Sequence, residues 1–273
     1  MTGFGDRLAN AVALRGTQIV LGLDPDPARV PGGASGAERF CLDVIAAAAE
    51  HCVAAKPQLA CFERFGADGW RAFETVADAA ADAGLLVIAD AKRGDIDATA
   101  RAYAEAFLRD PVDALTVNPT LGGDAVQPFL DAAVDSGRGL FVLVRTSNPG
   151  AADLQDLALA DGRLWHEAVA QLVGAWGAPS VGASGLSSVG AVVGATVPAR
   201  IAALRAVMPH QPFLLPGVGA QGGTPSDLGP AFGGNVAGAL VSASRSIIYA
   251  PDPAAAAAEL RDVVWHAWES GGA

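Results

Sequence analysis

Leu85-Leu86-Val87-Ile88-Ala89-Asp90-Ala91-Lys92-Arg93-Gly94-Asp95-Ile96 begins as an apolar run and then places four charges within six positions. The apolar run reads as a buried strand, so the charges stand where a core strand ends. Side chains of an extended chain alternate between faces. Asp90 and Lys92, two positions apart, therefore project to the same side, with the small Ala91 between them. Asp95 adds a second carboxylate flanking the same lysine, which keeps Lys92 protonated and fixed, and Gly94 permits the chain to turn outward. An isolated Asp-x-Lys is ordinarily a solvated ion pair. So many charges at a core strand end argue for chemistry instead. Arg93-Gly94-Asp95 as an adhesion tripeptide finds no support, because nothing in the sequence suggests export.

On either side of this segment, short apolar runs alternate with longer stretches of helical period, the pattern of repeated βα units around a parallel sheet. Strand candidates are residues 18–23, 52–55, 85–89, 114–117, 139–144, 189–194, 213–215 and 236–242, each ending in polar or glycine-rich sequence. Trp165, Val169, Leu172, Val173 and Trp176 recur at helical spacing, and an Ala-rich closing helix over 254–268 follows Pro251-Asp252-Pro253. These stripes are core rather than cofactor sites. About eight βα units predict an α/β fold, a (β/α)8 TIM barrel forming one domain over 1–273, with catalytic groups at the carboxyl ends of the strands. The competing architecture is an open doubly wound sheet. Against it, Gly22-Leu23-Asp24-Pro25 follows the first strand where a G-x-G-x-x-G would stand. Residues 148–188 are long for one connection and predict an extra turn or loop without a domain boundary.

Composition narrows the function classes. Of the 273 residues 51% are hydrophobic, yet no apolar run approaches the roughly 20 residues that span a bilayer. The start, Met1-Thr2-Gly3-Phe4-Gly5-Asp6-Arg7, lacks an export signal, so a cytoplasmic protein with no membrane partner is expected. Cys41, Cys52 and Cys61 lack C-x-x-C spacing, and the four histidines are scattered, so neither a disulfide framework nor a metal site is indicated. A formal charge of −11 without a Lys/Arg cluster argues against a nucleic-acid partner. An anionic small molecule would need a local positive pocket.

The strand ends supply one. Asp24 follows the first strand, Lys56 the second, Asp90 and Lys92 the third, Asn118 the fourth and Thr146-Ser147-Asn148 the fifth. The seventh ends in Pro216-Gly217-Val218-Gly219-Ala220-Gln221-Gly222-Gly223 and the eighth in Ser242-Ala243-Ser244-Arg245-Ser246-Ile247. In a barrel these converge on one mouth, with the last two loops where such folds bind phosphate and Arg245 as a bidentate partner for the dianion.

The string Asp90-Ala91-Lys92-Arg93-Gly94-Asp95-Ile96, extended by Thr99, resembles the D-x-K-x-x-D-I-x-x-T signature of orotidine 5′-phosphate decarboxylases, in the form of the bacterial long-chain branch. The resemblance continues through Leu23-Asp24-Pro25, Lys56-Pro57-Gln58, Thr146-Ser147-Asn148-Pro149-Gly150 and the loop after strand seven. It implies decarboxylation of orotidine 5′-phosphate to uridine 5′-phosphate, the last step of de novo UMP synthesis, without metal or cofactor. It implies further that Asp24 and Lys56 hold the ribose hydroxyls and form a charged array with Asp90 and Lys92, and that Lys92 donates the proton. By the same resemblance Asp95, Ile96 and Thr99 are expected to enter the site of a neighbouring subunit, which would make the functional unit a homodimer. The resemblance also implies that Ser147 contacts the pyrimidine amide edge and that Gln221 and Arg245, with Gly217, Gly219 and Gly222, hold the phosphate. Two departures stand out: no tyrosine occurs between Gly222 and Gly233, and Ser244 replaces the glycine common before the arginine. Two other activities compete: a sugar-phosphate decarboxylase or aldol-type synthase holding an enediolate with Mg2+, and a non-catalytic phosphoribosyl-binding barrel.

Overall fold

Eight parallel strands, β1 (Ile19–Leu23), β2 (Ala54–Pro57), β3 (Leu86–Arg93), β4 (Ala114–Val117), β5 (Gly139–Arg145), β6 (Val189–Val193), β7 (Phe213–Pro216) and β8 (Ala239–Ala243), pair in sequence order. β8 closes back on β1 to complete the barrel. The computed structural model describes residues 2–195, 198–218 and 228–271. Helices cover the outside, so strands such as β1 and β6 are buried along their whole length and read as continuous apolar runs rather than alternating ones. The expected single-domain barrel is therefore present. Two strand ends differ from expectation: β2 runs through Lys56, and β3 continues past the apolar run to Arg93. Among the described residues no helix is long and apolar enough to cross a membrane.

One element was not anticipated. The helix Phe4–Arg15 plugs the amino-terminal end of the barrel with Phe4, Leu8 and Val12, spaced four apart and fully buried. Phe4 meets Phe141 edge-to-face at 5.9 Å. Gly139 admits the plug, since a Cβ there would lie 2.3 Å from the Phe4 ring. With this end sealed by apolar packing, the open end of the barrel is the carboxyl end, where the charged strand ends lie.

The long connection after β5 is folded rather than loose. It contains the short helix Ala152–Gln155 and the longer Trp165–Gly177, matching the expected apolar stripe. Asp156 pins it to the barrel, accepting two hydrogen bonds from Arg145 (3.0 and 3.1 Å) and two from Arg200 (2.7 Å each). The Arg145 hydrogen bonds, opposed by burial and aided by Arg200, hold the Asp156 carboxyl down at about 2. Gln155 accepts a 2.8 Å hydrogen bond from the Thr146 amide, so the same connection braces the strand end that carries Ser147.

Candidate active site

A cavity of ≈ 450 Å³ opens at the carboxyl end of the barrel, and its wall includes Asp24, Lys56, Asp90, Lys92, Ser147 and Arg245. Its centre is Asp90, whose side chain is only 8% exposed. A carboxylate this buried is stable only if its lone pairs are filled. Lys56 Nζ lies 2.6 Å from Oδ2 and Lys92 Nζ 2.6 Å from Oδ1. Gln58 Nε2 donates to Oδ2 at 3.1 Å, and the Thr116 hydroxyl to Oδ1 at 3.1 Å. Burial opposes the charge on Asp90, but the two ammonium groups outweigh it and hold the carboxyl well below the usual range. Lys56 shows the mirror image: burial works against its charge, yet Asp90 and then Asp24 raise its pKa. Asp24, Lys56, Asp90 and Lys92 thus form a row of alternating charge.

The two lysines differ in access. Lys56 is as buried as Asp90, whereas the Lys92 side chain is 43% exposed on the cavity side. Asp24 keeps one buried oxygen, Oδ1, that finds no hydrogen-bond partner among the described residues. The row therefore offers an open ammonium and an unused acceptor to whatever occupies the cavity.

Strand alternation alone does not place Lys92 beside Asp90. The β3–β4 register shifts: Ala89 pairs with Leu115 and Arg93 with Val117, so Asp90, Ala91 and Lys92 together oppose the single residue Thr116. Lys92 sits in this bulge at φ 48°, a left-handed conformation rare outside glycine. The chain turns there and again at Asp97 (φ 47°), not at Gly94. Gly94 is needed for a different reason: a Cβ would come within 2.9 Å of the Asn118 carbonyl.

Asp95 departs from the sequence expectation. Lys92 pairs with Asp90 only among the described residues, and Asp95 accepts a hydrogen bond from the Ile96 amide at 2.8 Å. It does not flank the lysine of its own chain, because the bulge swings the segment after Lys92 away from the mouth. Ile96 is 52% exposed, Thr99 is exposed, and neither lines the cavity. Ser147 and its neighbours Thr146 and Asn148 do line it, as do Gly217 (φ 96°) and Arg245. Gly219, Gln221 and Gly222 lie outside the described residues. Ser244 fits in place of the family's glycine because its neighbour Gly22 has no side chain, a Cβ there lying 2.9 Å from the Ser244 Cβ.

Two polar contributors were not singled out from the sequence. Gln58 lies two positions from Lys56 and bridges to Asp90, a period-two signal that was available. Thr116 is the one polar residue of Ala114-Leu115-Thr116-Val117, a weaker signal.

Comparison with known proteins identifies the family. Residues 17–260 match the model of the orotidine 5′-phosphate decarboxylase / HUMPS family. A curated orotidine 5′-phosphate decarboxylase of Rhodopirellula baltica is 41% identical over 271 residues, covering 92% of this chain and 89% of that one. The solved orotidine monophosphate decarboxylase of Leishmania donovani superposes with a TM-score of 0.84 at 36% identity, covering 99% of this chain and all of the other (100%). The UMP synthase of the same organism matches with a TM-score of 0.84 at 39% identity over 97% of this chain, which spans 56% of that longer protein. With a family model matched over most of its length and full-length relatives at this identity, the chain belongs to the orotidine 5′-phosphate decarboxylase / HUMPS family.

Proposed function

We propose that the chain converts orotidine 5′-phosphate to uridine 5′-phosphate and CO2 without metal or cofactor, as a cytoplasmic homodimer. The observation that carries this is the Lys92 ammonium, fixed 2.6 Å from buried Asp90 and open to the cavity. Breaking the bond between C6 and the carboxylate leaves an electron pair in the ring plane, where the π system cannot delocalise it. A preorganised cation against C6 stabilises that charge as it develops. The pair then takes a proton from Lys92 Nζ, and the lysine is reprotonated from solvent. Asp24 and Lys56 take the ribose hydroxyls and Ser147 the base amide edge. Arg245 and Gly217, together with Gly219, Gln221 and Gly222, take the phosphate. Loss of orotidine 5′-phosphate absorbance, followed with no added metal, is expected to proceed equally in EDTA. Abolition by EDTA would assign the chain to metal-dependent enediolate chemistry, and tight nucleotide binding without CO2 release would make it a binding barrel.

Asp95, Ile96 and Thr99 complete the site of a second subunit in this proposal; the exposure of Ile96 and Thr99, and the position of all three outside the lining of their own cavity, support it. A two-fold interface lets each surface serve both sites. The free thiols of Cys41, Cys52 and Cys61 suit a reducing compartment. Lys92→Ala and Asp95→Ala proteins, each inactive alone, are expected to complement when unfolded together and reassembled. Every mixed dimer carries one doubly damaged and one intact site, so random pairing restores about a quarter of wild-type sites. Mixed dimers with no activity above either parent would place Asp95 in its own subunit's site.

A further inference from the structure

We propose that Thr116 is a positioning residue that fixes Lys92 for proton transfer, an inference that rests on the function proposed above. The bulge sets three residues of β3 against Thr116 alone, so the β4 backbone does not offer the ladder partners that a regular strand would. The Thr116 side chain replaces them. Its Oγ1 accepts the Lys92 backbone N–H at 2.9 Å and its hydroxyl proton points to Asp90 Oδ1 at 3.1 Å, a better acceptor than the Ala89 carbonyl at 3.5 Å. Asp90 Oδ1 is also the atom that receives Lys92 Nζ at 2.6 Å.

A closed circuit results, running from the Lys92 amide through the threonine hydroxyl and the Asp90 carboxylate to the Lys92 ammonium. The Lys92 ammonium reaches Asp90 Oδ1 directly, and the Lys92 amide reaches it through the Thr116 hydroxyl. Lys92 needs such a tether. At φ 48° it occupies a conformation that a non-glycine residue holds only when its surroundings impose it, and a flexible four-carbon stem does not by itself place an ammonium. Thr116 is 1% exposed although it lines the cavity, so it braces that backbone while the Lys92 side chain stays 43% exposed. The hydroxyl also fills a lone pair of Oδ1 that Lys92 alone would leave open, which holds Oδ1 on the Lys92 side while Oδ2 accepts from Lys56.

Thr116→Val removes the hydroxyl while keeping shape and strand preference, and Thr116→Ser keeps the hydroxyl. In Thr116→Val, kcat is expected to fall about 10- to 100-fold, as for a displaced reacting group, with KM within about threefold of wild type. Thr116→Ser is expected to retain kcat within about threefold. The Lys92 amide, followed by hydrogen exchange, should exchange about tenfold faster in Thr116→Val and stay protected in Thr116→Ser, a readout that needs no turnover. Should Thr116→Val fail to fold, Thr116→Ala against Thr116→Ser decides by the same criteria. The proposal is overturned by a folded Thr116→Val with wild-type kcat, by equal losses in the valine and serine variants, by a loss carried in KM alone, or by unchanged protection of the Lys92 amide. A wild-type protein that does not turn over orotidine 5′-phosphate yet shows the exchange difference would overturn the function proposed above and leave the Thr116 clamp on the Lys92 backbone standing.

Discussion

Lys92→Ala is expected to lower kcat for orotidine 5′-phosphate by at least about 10⁴-fold, because it removes both the charge that stabilises the carbanion and the proton donor. Affinity for uridine 5′-phosphate should change far less. Lys92 interacts chiefly with charge that exists only in the transition state, whereas the contacts assigned to ribose, base and phosphate come from other strand ends. The array itself should survive the substitution. Asp90 keeps the buried Lys56 at 2.6 Å and the Gln58 amide at 3.1 Å, so it is not left as an uncompensated buried charge. Steady-state kinetics paired with calorimetric titration of the product nucleotide separates the two effects. A variant with near-normal kcat would remove Lys92 from the chemistry.

The second large effect concerns stability. Arg205→Met should destabilise the fold by about 3–5 kcal/mol, from carbonyls left without donors at about 1–3 kcal/mol each less the relief of no longer burying a cation. Arg205 is 7% exposed and has no carboxylate partner among the described residues; it instead donates to the carbonyls of Ala231, Met208, Gln211 and Gly238 at 2.7–3.0 Å. Its guanidinium also lies 3.7 Å from the Phe213 ring centroid. Burial pushes its pKa down to about 9, which leaves it protonated at neutral pH. One side chain thus joins the end of the helix Pro198–Val207, the approach to β7, the short helix Gly229–Phe232 and the turn into β8. Arg205→Lys should not rescue, because an ammonium has three donors and no planar fork to reach four carbonyls. For a chain of this size the loss corresponds to a fall in Tm on the order of 10 °C. An unchanged melting temperature in Arg205→Met would show that the four carbonyls find other donors.

Much of the molecule was legible in the residues. Parallel strands covered by helices must be apolar on both faces, so β1 to β8 announce themselves as short apolar runs. Their order around the barrel then follows from the right-handed βα repeat. Asp24, Lys56, Asp90, Lys92, Ser147 and Arg245 were legible for a related reason: a polar group placed just where a core strand ends has few structural uses. The plug helix Phe4–Arg15 carried its period in Phe4, Leu8 and Val12, but nothing local says that such a face seals a barrel.

What the sequence determined by itself is the repeat of buried strand and covering helix, and the identity of the groups at the strand ends, because both depend on residue type and near-neighbour spacing. The tertiary structure alone decided how those groups meet. The bulge that brings Lys92 onto Asp90, the turn at Lys92 rather than Gly94, and the departure of Asp95 from its own mouth all depend on the β3–β4 register. Thr116 holds Lys92 and Asp90 from 24 and 26 positions away. Asp156 likewise gathers Arg145 and Arg200 from two separate elements. Local periodicity is blind to such contacts, since a register shift costs no change in residue pattern and exists only once two strands are paired.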